Sequence, residues 1–280
     1  LTSLEEYRRC EHLQDLIWGP TDVIRVSALV LITAQNNGGM VIGAFSADEE
    51  LVGFVCAYPG LTADGRLKQC SQLMAVHPNR RNERIGYELK LAQRQETLDR
   101  NIELCTWTFD PLASTNAYLN VNKLGAVAGQ YIPDCYGPGG EGESAGLATD
   151  RLLAEWWVGS RWVEGHLAGR RPHRALSSPP VNTVVGRAGD GMPVNRRIDL
   201  ERRGAAIRVE IPADLEVLKR TDPGLARAWR QESREIFTTY LERGYRVVGF
   251  ESLEAASSRR CYVLSDGTAS SECSEPGAGV

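Results

Sequence analysis

The stretch Leu73-Met74-Ala75-Val76-His77-Pro78-Asn79-Arg80-Arg81-Asn82-Glu83-Arg84-Ile85-Gly86-Tyr87-Glu88-Leu89 decides how this chain is read. It begins as the apolar end of a strand predicted for 67–76, passes through a polar loop at 77–84, and opens a helix predicted for 85–100, where Ile85, Leu89 and Ala92 recur at helical spacing. A strand that feeds a basic loop and then a helix offers an anion several unpaired backbone N–H groups and the positive end of the helix dipole. A diphosphate suits such a place. A solvated basic turn has the same composition, so the elements on either side must decide between the two.

Upstream, Thr2-Ser3-Leu4-Glu5-Glu6 reads as a capping box opening a helix that runs to Ile17, where Gly19 and Pro20 stop it. A second apolar helix is expected over 26–35, ending at Asn36-Asn37-Gly38-Gly39. Two short apolar runs, 40–45 and 51–58, flank the charged tip Asp48-Glu49-Glu50 and predict an antiparallel hairpin. Downstream come a strand over 102–109, Asp110-Pro111, and a helix over 114–124 with Gly125 as terminator. Runs at 126–132 and 151–158 would close as a hairpin around the Gly-rich 137–146.

Residues 169–194 are rich in Pro, Gly, Ser and Arg and read as a linker. Beyond it, a strand at 206–211, a helix begun by Asp222-Pro223 and ended by Gly244, and strands at 245–250 and 261–264 form an accessory segment. The expected organisation is a first domain over 1–160, a helix and linker over 161–195, the accessory α/β segment over 196–264 and a disordered tail over 265–280. On the helix of that segment Arg227, Arg230 and Arg234 form a stripe broken by Glu232 and Glu235, which reads as a solvated face. The cluster Arg170-Arg171-Pro172-His173-Arg174 reads as a loop.

Composition narrows the function classes. The 280 residues, 42% hydrophobic and 24% charged, are those of an ordinary globular chain, and a net charge of -4 disfavours a nucleic-acid partner. The seven cysteines are scattered, without metal-knuckle or redox spacing, and the four histidines stand apart from second ligands, so no metal is expected. The longest apolar run, 26–34, is too short to cross a bilayer, and a cytoplasmic protein is expected.

The central stretch resembles the cofactor motif of the GNAT N-acetyltransferase superfamily, a strand followed by Gln/Arg-x-x-Gly-x-Gly/Ala. Arg81 and Gly86 stand at its first and last positions. Asn116-Ala117 with Lys123-Leu124-Gly125 resembles the family's later Asn-x-x-Ala and Lys-x-Gly-Phe segment, and the order of elements over 2–160 agrees with it. Trp107-Thr108-Phe109-Asp110-Pro111 and the extra C-terminal part look like those of a little-characterised bacterial branch.

The resemblance implies an α/β fold with a mixed, mostly antiparallel central sheet flanked by helices. It further implies an acyl-CoA-dependent N-acyltransferase, acetyl-CoA as co-substrate, and a primary amine of a small molecule or peptide as acceptor. On this reading the backbone of Met74, Ala75 and Val76 holds the pantetheine and the developing oxyanion. Arg81, Asn82, Glu83, Arg84, Ile85, Gly86 and Tyr87 cradle the diphosphate, and Asn116 caps its helix, touches CoA, or both. Family glycines are replaced at Arg84 and Asn82. The tyrosine that often serves as thiolate acid aligns with Val121, so that role is vacant or passes to Tyr118, one turn earlier, and Asp110 at the strand end is a candidate base or simply a turn former. Glu103 and His77 rank behind it. The rival reading is a non-catalytic acyl-CoA-binding protein on the same scaffold, and a thioester decarboxylase is a third. The C-terminal segment is expected to complete the acceptor cleft, form a homodimer surface, or be a reduced second copy.

Overall fold

The computed structural model describes residues 1–19, 25–137, 147–170, 178–252 and 259–267. Pro20, most of the Gly-rich 137–146, residues 171–174 of the basic cluster, Cys273 and the tail from 268 onward lie outside them. The chain divides into two compact units, Leu1–Trp107 and Thr108–Val280, so the boundary falls inside a strand and not near residue 160 as the sequence suggested.

In the first unit α1 (Leu4–Trp18) opens with the expected capping box, Ser3 accepting from the Glu6 amide while the Glu6 side chain reaches back. Then follow α2 (Ala28–Asn36), β1 (Met40–Phe45), β2 (Leu51–Leu61), β3 (Leu67–Val76), α3 (Ile85–Asp99) and β4 (Leu104–Phe109), whose last two residues belong to the second unit. β1–β2 and β2–β3 pair antiparallel, and β3–β4 pair parallel. Because alternate strand residues point to opposite faces, Phe54, Cys56 and Ala75 pack with Tyr7, Cys10, Leu13 and Leu31 of α1 and α2. Gly53 instead lies under α3, where a Cβ would sit 3.0 Å from Ile85.

The second unit continues with α4 (Ser114–Ala117), a π-helical turn at Tyr118–Lys123, β5 (Val127–Ile132), β6 (Arg151–Trp157) and α5 (Arg161–Leu167). The predicted helix over 114–124 is thus a single α-turn that widens into a π-turn. After it come β7 (Asn182–Gly186), β8 (Pro193–Ile198), β9 (Ala206–Pro212), α6 (Leu215–Thr221), α7 (Pro223–Glu242), β10 (Arg246–Ser252) and β11 (Arg259–Ser265). The expected linker holds a hairpin: β7 and β8 pair antiparallel from Asn182↔Ile198 to Gly186↔Pro193.

The C-terminal strands are not a separate accessory sheet. β5 pairs with β6 on one side and, through Val247↔Ala128, with β10 on the other, and β11 joins β10 to β9, all antiparallel. Helix α7 covers this sheet, with Phe237 stacked 6.0 Å from Tyr131 and edge-on to Tyr262 at 5.2 Å. The fold is mixed α/β with largely antiparallel pairing and flanking helices. Among the described residues no helix is long and apolar enough to cross a membrane.

Candidate functional site

The site in the first unit is set by an irregularity in β3. Its register with β2 slips between Ala57↔Ser71 and Cys56↔Leu73, leaving Gln72 as the extra residue of a β-bulge. Two successive side chains are thereby sent to the α1–α2 face. Leu73 joins the core cluster there, whereas Ser71 bonds Lys90 of α3 and Met74 lies under Gly86 of α3. Parallel pairing to β4 covers Gln69↔Cys105 and Cys70↔Thr106, and β3 then runs on to Val76 held by β2.

Past Val76 the chain makes one 3₁₀ turn, Pro78–Arg80, capped by His77, whose Nδ1 accepts from the Asn79 amide. His77 thus has a local structural role. Asn82 (φ 70°) and Arg84 (φ 66°) then adopt the left-handed conformation that favours glycine. These are the two positions where the sequence resemblance places glycine, and the backbone there is left-handed although neither residue is glycine. Arg84 is the N-cap of α3 and supplies no side-chain cap.

The consequence is a run of open donors. Glu88 N–H bonds Arg84 O as the first bond of α3, while the amides of residues 82–87 have no acceptor among the described residues. These amides stand ahead of a 15-residue helix, whose dipole adds partial positive charge at its N-terminal end, a setting that attracts anions elsewhere. Gly86 lets α3 sit close to β3, since a Cβ there would meet the Met74 Cε at 3.3 Å. Around the loop Arg80 pairs with Glu83 at 2.7 Å, and Arg84 pairs with Glu88 at 3.5 Å while lying over the Tyr87 ring. Arg81 is exposed. Met74, Ala75 and Val76 thus lead through one 3₁₀ turn into residues 81–87, with Ala75 buried in the core and 81–84 exposed.

Sequence reading missed Lys90. Its side chain is 2% exposed, Nζ donates to Ser71 Oγ and Gln93 Oε1 at 2.9 Å each, and it stands 3.7 Å from the Trp107 ring centre. Burial without a carboxylate pulls its pKa down to about 8, partly offset by the Cys105 and Cys56 thiols, and burial pushes Cys56 up to about 12. A lysine one turn into an amphipathic helix reads as surface, and only the fold reveals its partners.

The remaining predicted residues, Glu103 apart, belong to the second unit. Asp110 closes its own turn, Oδ1 accepting from the Leu112 amide at 2.8 Å, and Oδ2 receives Arg230 Nη2 at 2.6 Å. Arg230 is buried and Arg234 forms a bidentate pair with the buried Asp150, which corrects the solvated reading for these two arginines, while Arg227 is exposed as expected. Burial alone would raise Asp150, but Arg234, the Asp134 amide and Tyr131 outweigh it and hold the carboxyl below its usual range. Asn116 does not cap its helix, which starts at Ser114 with Ala113 as N-cap; Asn116 is exposed on the first turn. Tyr118 is exposed at the start of the π-turn with Lys123 Nζ 5.5 Å from its ring centre, and Val121 is buried. Glu103 is exposed. The six described cysteines are free thiols, and among the described residues no cluster of His, Cys, Asp or Glu has the makings of a metal site.

The sequence matches no protein-family model, and no curated protein matches it. Solved structures similar to it include an aminoglycoside 6'-acetyltransferase of type Ii, 21% identical, covering 57% of this chain and 94% of its own, with a TM-score of 0.45. The ribosomal-protein-S18-alanine N-acetyltransferase from Escherichia coli is 13% identical over 56% of this chain and 90% of its own, with a TM-score of 0.43. An acetyltransferase of the GNAT family from Streptococcus pneumoniae is 12% identical over 55% and 95%, with a TM-score of 0.45.

Proposed function

We propose that this chain is a GNAT-type, acyl-CoA-dependent N-acyltransferase that carries an acetyl group from acetyl-CoA to a primary amine. The observation that carries the reading is the loop ahead of α3: two non-glycine residues held at positive φ, within a run of amides, 82–87, that has no acceptor among the described residues. Strain of that kind costs energy and persists where surrounding structure imposes it, often at ligand clamps. The donor set fits a diphosphate. Amides of Glu83, Arg84, Ile85, Gly86 and Tyr87 would hold it, with the Arg81 side chain as a charge-assisted donor and the α3 dipole behind it.

Bound acetyl-CoA supplies a thioester carbonyl. The backbone of Met74, Ala75 and Val76, past the end of the β4 pairing, would align the pantetheine arm and donate to the oxygen on which negative charge develops. Direct attack by the amine needs no covalent enzyme intermediate. Tyr118 is assigned on sequence grounds as the acid for the departing thiolate and Asp110 as acceptor of the ammonium proton, while Asn116 is assigned to CoA on the same grounds.

A second reading has an observation of its own in favour. The Asp110 carboxylate is already engaged by Arg230 and the Leu112 amide, and Val121 stands where the family acid aligns, which suits a protein that binds acyl-CoA without turning it over. Purified protein incubated with acetyl-CoA and a panel of primary amines separates the two. Amine-dependent release of free CoA thiol supports transfer; saturable acetyl-CoA binding with no thiol release for any amine supports the binding protein.

A further inference from the structure

Helix α2, Ala-Leu-Val-Leu-Ile-Thr-Ala-Gln-Asn, carries no charged residue, and its outward face begins apolar, with Leu29 73% exposed and Val30 51%, and continues through Thr33 and Asn36. Surface helices normally turn charged residues to water, so an uncharged outer face marks a surface kept for contact. Beside it lies a groove of about 510 Å³ lined by Leu29, Val30, Thr33, Ala34, Tyr58 and Gln72, a size suited to a small molecule. The β3 bulge borders this groove: Gln72, its extra residue, lines the groove while the next residue, Leu73, packs on the α1–α2 core. Gln72 stands two residues before Met74, the first residue assigned to the acyl-CoA strand.

We infer that this groove takes the apolar body of the acceptor amine, so that the substrate class is a neutral-bodied alkyl- or arylalkylamine and not a polycation. The inference rests on the transferase reading above and specifies its acceptor. The argument is charge complementarity: none of the six described lining residues is charged, so nothing among them offsets desolvation of extra ammonium groups, whereas Leu29, Val30, Ala34 and the Tyr58 ring match a hydrocarbon or aromatic body. Thr33 and Gln72 supply hydrogen-bonding groups of either polarity.

The test is ligand-observed NMR saturation transfer with the full chain, using 2-phenylethylamine and, separately, spermine, with and without acetyl-CoA. Saturation should reach the phenyl protons and not spermine, and L29E and V30K should each weaken phenylethylamine binding at least tenfold. Both substitutions lie on exposed positions and should leave the acetyl-CoA titration unchanged, which separates failure here from failure of the acyl-CoA reading. Preference for spermine, or equal phenylethylamine binding by wild type and L29E, would overturn the inference. So would conversion of a dimer into a monomer by L29E, which would make the face a contact between copies.

Discussion

Arg84 shows how a residue can hide the turn it occupies. In the sequence, arginine and asparagine replace glycines and argue against a phosphate cradle; in the structure both take the glycine conformation, Asn82 at φ 70° and Arg84 at φ 66°. Asparagine tolerates this region because its short amide bonds locally, whereas arginine bears the full steric cost. Arg84→Gly should therefore stabilise the folded chain by about 0.5–1 kcal/mol, the relief of strain outweighing the greater freedom of the unfolded state. A higher urea midpoint at unchanged slope is the expected result. Lys90 gives a second test at this scale. Its pKa in the folded chain is about 8, below the usual lysine value, so between about pH 8 and 10.5 the unfolded state binds more protons and stability rises with pH. Over that window the gain is on the order of 3 kcal/mol. Buried thiols, with Cys56 pushed up to about 12 and Cys105 to about 11, act in the opposite sense above pH 9, so wild type must be compared with Lys90→Met, in which the rise should vanish.

Elements with strong local signals were legible in advance. The 67–76 strand and the start of α3 at Ile85 were read where they lie, because apolar period and loop composition change together there. Ser3 with Glu6, and Asp222 with Pro223, marked two helix starts for the same local reason. What failed depended on distant partners. The hairpin of β7 and β8 sits in a Pro/Gly-rich stretch without apolar alternation, since Trp229 Nε1 bonding Pro193 O and Asn182 bonding the Glu210 backbone hold it from elsewhere in the chain. The arginines of α7 misled in the same way, as interspersed glutamates look identical whether the face meets water or carboxylates. Here the pairs are unequal: Arg230 is 3% exposed and Asp110 22%. Asp110→Ala strands a buried guanidinium and should cost about 3–5 kcal/mol, whereas Arg230→Met leaves a carboxylate that water reaches and should cost less. Denaturant midpoints of the two variants, with the double variant to close the cycle, check that order.

For the whole molecule, the sequence ends the first domain at residue 160, and the compact units divide at Trp107/Thr108. The reason is pairing that sequence periodicity cannot reveal: β5 is flanked by β6 on one edge and by β10, more than a hundred residues later, on the other, and Tyr131 stacks on Phe237 of α7. A fragment ending at residue 160 should therefore lose fixed aromatic packing, with a collapsed near-UV circular dichroism signal and a broad melt, where an independent domain would melt cooperatively.

The central claim, that the loop before α3 cradles a diphosphate, is tested most directly by backbone amide NMR of the full chain titrated with CoA. The account predicts saturable shifts concentrated at residues 82–87, whose amides have no acceptor among the described residues, and parallel loss of those shifts and of affinity in Arg81→Ala. CoA that leaves those amides unmoved, whether it binds elsewhere or not at all, would contradict it.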